Sequence, residues 1–126
     1  MTLRAFVGQL IAILAMAVAL PASADTRDEV QTSWRLLDYI AVDYLEAVED
    51  GKVTNELEYA EMQEFSASVV ERMAALPANA QRAQLVADAE ALAEAISAKV
   101  EPAVVARDAR RLASELIAAF PVPLAP

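Results

Sequence analysis

Between Asp38 and Glu64 the chain carries nine carboxylates and a single base, Lys52. Within that stretch, Asp50-Gly51-Lys52-Val53-Thr54 looks like the middle of a calcium-binding EF-hand loop. Spacing tests the likeness. With Gly51 at the sixth loop position, Glu46, Val48 and Asp50 fall on the first, third and fifth, and Leu57 on the twelfth. The twelfth position needs a bidentate carboxylate and the third a side-chain oxygen. Leu57 and Val48 supply neither, so an EF-hand is excluded. What remains is a cluster of oxygen donors near a turn: Asp43, Glu46, Asp50, Glu58 and Glu61, with Asp38 farther back. Oxygen-only donor sets suit hard cations such as Ca²⁺, Mg²⁺, Mn²⁺ or ferric iron. Tyr39, near Asp43, adds a candidate phenolate.

The same residues have a purely structural reading. Asn55 followed by Glu58 has the spacing of a capping box, and Glu56 and Glu58 suit the positive end of a helix dipole. Glu61 and Glu64 read as a solvated face. Asp38 and Glu58 fit this less well. On a helical wheel each lies about 40° from an apolar-stripe residue, Trp34 and Met62 respectively. Carboxylates at such borders lose hydration unless they are hydrogen-bonded, paired or bound to a cation. Asp38 is about 18 Å from the turn along a helix axis, so it is not expected to share a site with Glu58.

The chain lacks both Cys and His. That excludes disulfides, thiolate chemistry, c-type haem attachment and the commonest catalytic base. No serine has a base partner, and no enzyme activity is expected. The net charge is −9, which argues against nucleic acid and against anionic membrane surfaces as partners.

The elements that must position the cluster are helices. Ala is abundant, and no period-two run of β-branched or aromatic residues appears. Punctuation predicts a first helix from about Thr26 to Glu49, with Gly51 as its left-handed cap. A second starts after Thr54-Asn55 and ends near Leu76. A third follows Asn79 to about Lys99, and a fourth opens at Glu101-Pro102 and closes near Phe120. Each has one apolar stripe: Val30, Trp34, Leu37, Tyr44 and Leu45 in the first, Tyr59, Met62, Phe65, Val69 and Met73 in the second. Leu85, Ala89, Leu92 and Ile96 mark the third, and Val105, Ala109, Leu112 and Leu116 the fourth. Four comparable stripes with short connections predict an all-α, antiparallel up-down-up-down bundle over residues 25–120. A three-helix core with one loosely docked segment is the structural alternative. Tyr44 and Tyr59 are expected in the core, and the Ala-rich third and fourth helices are expected to pack closely.

Residues 1–24 read as a cleavable signal peptide. Arg4 precedes an apolar run from Phe6 to Leu20, and Ala22-Ser23-Ala24 has the small-residue pattern of a cleavage site. The run is too short for the roughly 20 residues of a membrane-spanning helix. The expected location is periplasmic, with a mature domain that does not span the membrane. Residues 121–126, with prolines at 121, 123 and 126, read as an extended C-terminus or a linker.

The segment Leu36–Ser66 resembles the exported N-terminal helical region of bacterial iron permeases of the oxidase-dependent iron transporter family. The similar elements are Asp38-Tyr39 with Asp43-Tyr44, then Asp50-Gly51-Lys52-Val53, then Glu58-Tyr59 with Glu61, Glu64 and Phe65. In many such proteins a c-type cytochrome domain follows, and then the permease. This chain departs from the family in having no C-x-x-C-H haem motif, no R-E-x-x-E permeation motif and no set of membrane spans. The resemblance therefore implies an extracytoplasmic accessory module of iron uptake, encoded separately or truncated from a longer permease. The permease and a c-type cytochrome domain are its implied partners, and iron is the implied cargo. A structural or interaction module without metal binding is the alternative.

Overall fold

A computed structural model describes residues 23–124. The expected signal peptide lies outside the described residues except for its last two. The first helix, α1 (Ala24–Ala47), starts two residues earlier than expected because Ser23 caps it: its Oγ accepts a hydrogen bond from the Thr26 amide at 3.2 Å.

The expectation that everything after residue 24 is helical fails at one place. α1 stops at Ala47, and Val48–Glu49 (β1) pairs antiparallel with Lys52–Val53 (β2). Val48 lies opposite Val53, and Glu49 opposite Lys52. Asp50 and Gly51 both have positive φ, 52° and 72°. That is the backbone of a two-residue type I′ hairpin turn, for which Asp-Gly is a favoured pair. Gly51 is thus a hairpin residue and not the helix cap the sequence suggested. The Thr54 amide closes the loop on the Ala47 carbonyl at 2.9 Å, so the chain re-enters the bundle beside the point where it left.

Three helices follow: α2 (Glu56–Ala74), α3 (Arg82–Ser97) and α4 (Pro102–Ala119). Asn55 caps α2 by accepting from the Glu58 amide at 3.1 Å. Asn79 accepts from the amides of Gln81 and Arg82, so it serves α3 as expected. α3 ends in paired bonds, Val100 N–H to Ala95 and Lys99 N–H to Ile96, with Lys99 at φ 55°. This is a Schellman closure with lysine in the left-handed position glycine usually takes. Pro102 is tolerated in the first turn of α4, where its missing N–H has no intrahelical acceptor.

α1 packs on α2 and α4, and α3 packs on the same two neighbours, giving the antiparallel four-helix bundle. Leu37, Ile40, Tyr44, Met62, Val69, Met73, Ile96, Val105 and Leu116 are buried in a single core. Two expectations about the stripes are corrected. Leu45 is 62% exposed, because neither α2 nor α4 reaches around α1 far enough to cover it. The third and fourth helices do not pack closely: they share the smallest interface between adjacent helices. Asp88, Asp108, Arg111 and Glu115 occupy that seam beside a cavity of about 40 Å³. The tail folds back onto the bundle, where the Gln31 side chain donates to the Pro123 carbonyl at 2.6 Å.

Candidate functional site

The hairpin turn brings the acidic flanks of α1 and α2 alongside each other. Tyr39 and Phe65 mark the register, with ring centroids 5.9 Å apart. An antiparallel pair in that register sets Asp43 and Glu46 of α1 across from Glu58 and Glu61 of α2. Their charges act on one another. Partial burial, then the negative charges of Glu61, Glu46 and Asp43, raise the Glu58 carboxyl above its ordinary value. Glu58 and Asp43 are half-buried, while Glu46 and Glu61 are exposed.

Asp50 stands apart from this group. It occupies the exposed hairpin turn and is not among the charges acting on Glu58. Asp38 faces the other way, lining a cleft of about 300 Å³ between α1 and α4 with Trp34, Leu37, Arg110, Ala113 and Ser114. It is not among the charges acting on Glu58. Among the described residues, no three carboxylates converge closely enough to hold one metal ion in common. The arrangement is therefore an electronegative surface. It can concentrate hydrated cations through its field without stripping their water.

Tyr44 and Tyr59 anchor this end of the bundle from within. Both are buried, and their hydroxyls donate to backbone carbonyls at and just beyond the end of α3, Tyr44 to Val100 at 2.7 Å and Tyr59 to Ile96 at 2.9 Å. Burial and the charges of Tyr59 and Glu101 push the Tyr44 phenol up to about 12, so it is a hydrogen-bond donor at any physiological pH. Lys99 lies over the Tyr59 ring, 5.6 Å from its centroid, and closes the same corner. Tyr39, the candidate phenolate, is 49% exposed and is held by its contact with Phe65.

Sequence reasoning missed a second group of charged residues. A hydrogen bond to Asp88 holds the Glu115 carboxyl above its ordinary value, with burial and the Asp88 charge acting in the same sense and Arg111 opposing. The pair spans α3 and α4, so no local spacing could have joined them.

Comparison with known families matches residues 21–123 to the iron permease-associated four-helix bundle domain. The chain belongs to that family. No curated protein and no solved structure matches the chain. For a member of the iron permease-associated bundles, this architecture agrees with the name: four helices, and among the described residues no helix long and apolar enough to cross a membrane. Association with iron permeases carries a role in iron uptake. Membership of a permease-associated family points to an accessory role beside the permease.

Proposed function

We propose that this domain is an extracytoplasmic accessory module of iron uptake, which enriches cationic iron at the acidic end of α1 and α2 and delivers it toward a permease. Its signal-peptide-like N-terminus supports export to the periplasm. The observation that carries the reading is the distribution of charge within a permease-associated bundle. Nine carboxylates against one base lie between Asp38 and Glu64, whereas the ten acids elsewhere are nearly balanced by nine bases. Asp43, Glu46, Glu58 and Glu61 form the centre of this field, with Asp50 at its edge and Asp38 outside it.

The physical case is one of weak attraction. A surface with this charge raises the local cation concentration and is screened by salt over about 10 Å at 0.1 M. Iron held this way exchanges quickly, which suits delivery better than storage. Titration calorimetry of the protein with ferrous iron under anaerobic conditions tests the idea. The expected result is weak, salt-sensitive binding that is lost in the triple variant Asp43→Asn, Glu58→Gln, Glu61→Gln. Identical heats from both proteins would remove the cation role and leave the module as a structural adaptor of the permease.

A further inference from the structure

The acidic end also carries most of the exposed apolar surface. Among the described residues, the large hydrophobic side chains well exposed to solvent are Tyr39, Val42, Leu45, Leu57 and Leu124. All but Leu124 fall between Tyr39 and Leu57, within the acidic stretch. Tyr39, Val42 and Leu45 are 49%, 53% and 62% exposed. They follow at three-residue intervals on α1, so each is a surface neighbour of the next. Single exposed apolar residues need no explanation, but a contiguous row on one helix face marks a contact surface.

The row is built to stay in place. Tyr39 rests against Phe65 of α2, which is half-buried against the core, so the aromatic end is fixed before any partner arrives. Around the row lie carboxylates. Asp43 and Glu46 stand four residues after Tyr39 and Val42 on α1. An apolar centre with a polar rim is the anatomy of a protein interface, and aromatic residues supply much of the energy in such centres.

The structure assigns this face of α1, Tyr39–Val42–Leu45 with its carboxylate rim, as the docking surface for a protein partner that presents apolar side chains ringed by lysines or arginines. Charge selects this occupant over the others. A second copy related by a two-fold axis would set the same acidic rim against itself. A membrane surface carrying anionic lipid would be repelled by it. A basic rim meeting an acidic one speeds encounter and fixes orientation. Because the apolar centre is only three side chains, the complex should be weak and short-lived, in the range of transient encounters. The assignment rests on the iron-uptake reading only for the setting in which the partner is met.

Two synthetic helical peptides of equal composition and charge provide the probe. One has its leucines in a single stripe flanked by lysines; the other has the same residues scrambled around the helix. Fluorescence anisotropy with the whole protein at low and moderate salt reads their affinities. The striped peptide is expected to bind about tenfold tighter than the scrambled one, a difference typical of losing one interface anchor. Val42→Ser with Leu45→Ser should erase that preference, while circular dichroism confirms the fold. Asp43→Asn with Glu46→Gln should weaken both peptides and flatten the salt dependence. Equal affinity for the two peptides, or a preference that survives Val42→Ser with Leu45→Ser, overturns the assignment. So does self-association through this face in sedimentation runs, or binding to phosphatidylglycerol vesicles that Val42→Ser with Leu45→Ser abolishes. Neither result depends on iron, so a failed cation titration and a failed peptide experiment are separate outcomes.

Discussion

The phenol of Tyr44 on α1 donates a 2.7 Å hydrogen bond to the carbonyl of Val100, which sits between α3 and α4. Tyr59 of α2 does the same to Ile96, at the end of α3. The two helices that carry the acidic surface are thereby pinned to the opposite half of the bundle at the end where that surface lies. Removing a buried hydrogen bond of this kind costs about 1 kcal/mol. Tyr44→Phe is therefore expected to lower stability by that amount in urea denaturation, with the fold unchanged.

The same tyrosine makes an alkaline prediction. Its folded value, about 12, lies above the ordinary 10.0. The folded state thus keeps a proton that the unfolded chain gives up. The stabilisation is complete below the unfolded value and disappears as pH rises through the folded one. Denaturation followed from about pH 9 to about pH 12 should show a steeper loss in the wild type than in Tyr44→Phe.

Glu115 makes the corresponding prediction in acid. Its carboxyl is raised first by the hydrogen bond to Asp88, so folding favours the protonated form. That contribution is present below the ordinary carboxylate value and is lost as pH rises through the raised one. Asp88 faces it from α3, and Asp108 and Arg111 line the same seam on α4. Glu115→Gln keeps a donor for Asp88 without the charge, so it should gain stability near neutral pH and flatten the dependence. The side chain is 39% exposed, and solvent screening holds the expected gain under about 1 kcal/mol. Denaturant midpoints at about pH 4 and about pH 7 decide it.

At the hairpin, Gly51 has open space around a hypothetical Cβ, with nothing within 4 Å, yet its φ is +72°. A side chain there meets backbone strain and no clash. Gly51→Ala should cost about 1 kcal/mol, and Asp50→Asn should be close to neutral because Asn-Gly also favours this turn. A thermal midpoint for Gly51→Ala equal to the wild type would contradict the type I′ assignment.

Ser33 is buried, and its hydroxyl has no hydrogen-bond partner. Ser33→Ala removes an uncompensated polar group from the core and should be neutral or stabilising by up to about 1 kcal/mol. Leu37→Ala, one turn farther along the same buried face, should cost about 2–5 kcal/mol through the cavity it leaves. Measured side by side, the two separate burial of a polar atom from loss of packing.

Two features of the acidic stretch are legible from spacing alone. Glu58 lies at the edge of the Met62 stripe, and it is a carboxylate whose value the fold raises. Asp38 was set apart by axial distance, and it does line a different cleft. The row Tyr39–Val42–Leu45 is less visible, because the spacing assigns Leu45 to the core stripe. Its spacing was there in the sequence, but a second apolar stripe on one helix can only be recognised once the first is known to be covered.

The sequence by itself determined the four helices, the caps at Asn55 and Asn79, the Pro102 start of α4 and most of the core, because helical periodicity and capping are interactions within a few residues. The tertiary structure decided three things that no local pattern holds. Asp-Gly can end a helix or turn a hairpin, and it turns a hairpin here because Val48 and Glu49 find partners in Val53 and Lys52. Asp88 and Glu115 share a hydrogen bond because α3 and α4 bring them together across the seam. Leu45 lies at the edge of an apolar stripe, and whether an edge position is buried depends on how far a neighbouring helix wraps around it. Here the neighbours stop short, and α1 is left with an apolar face open to solvent within the acidic stretch.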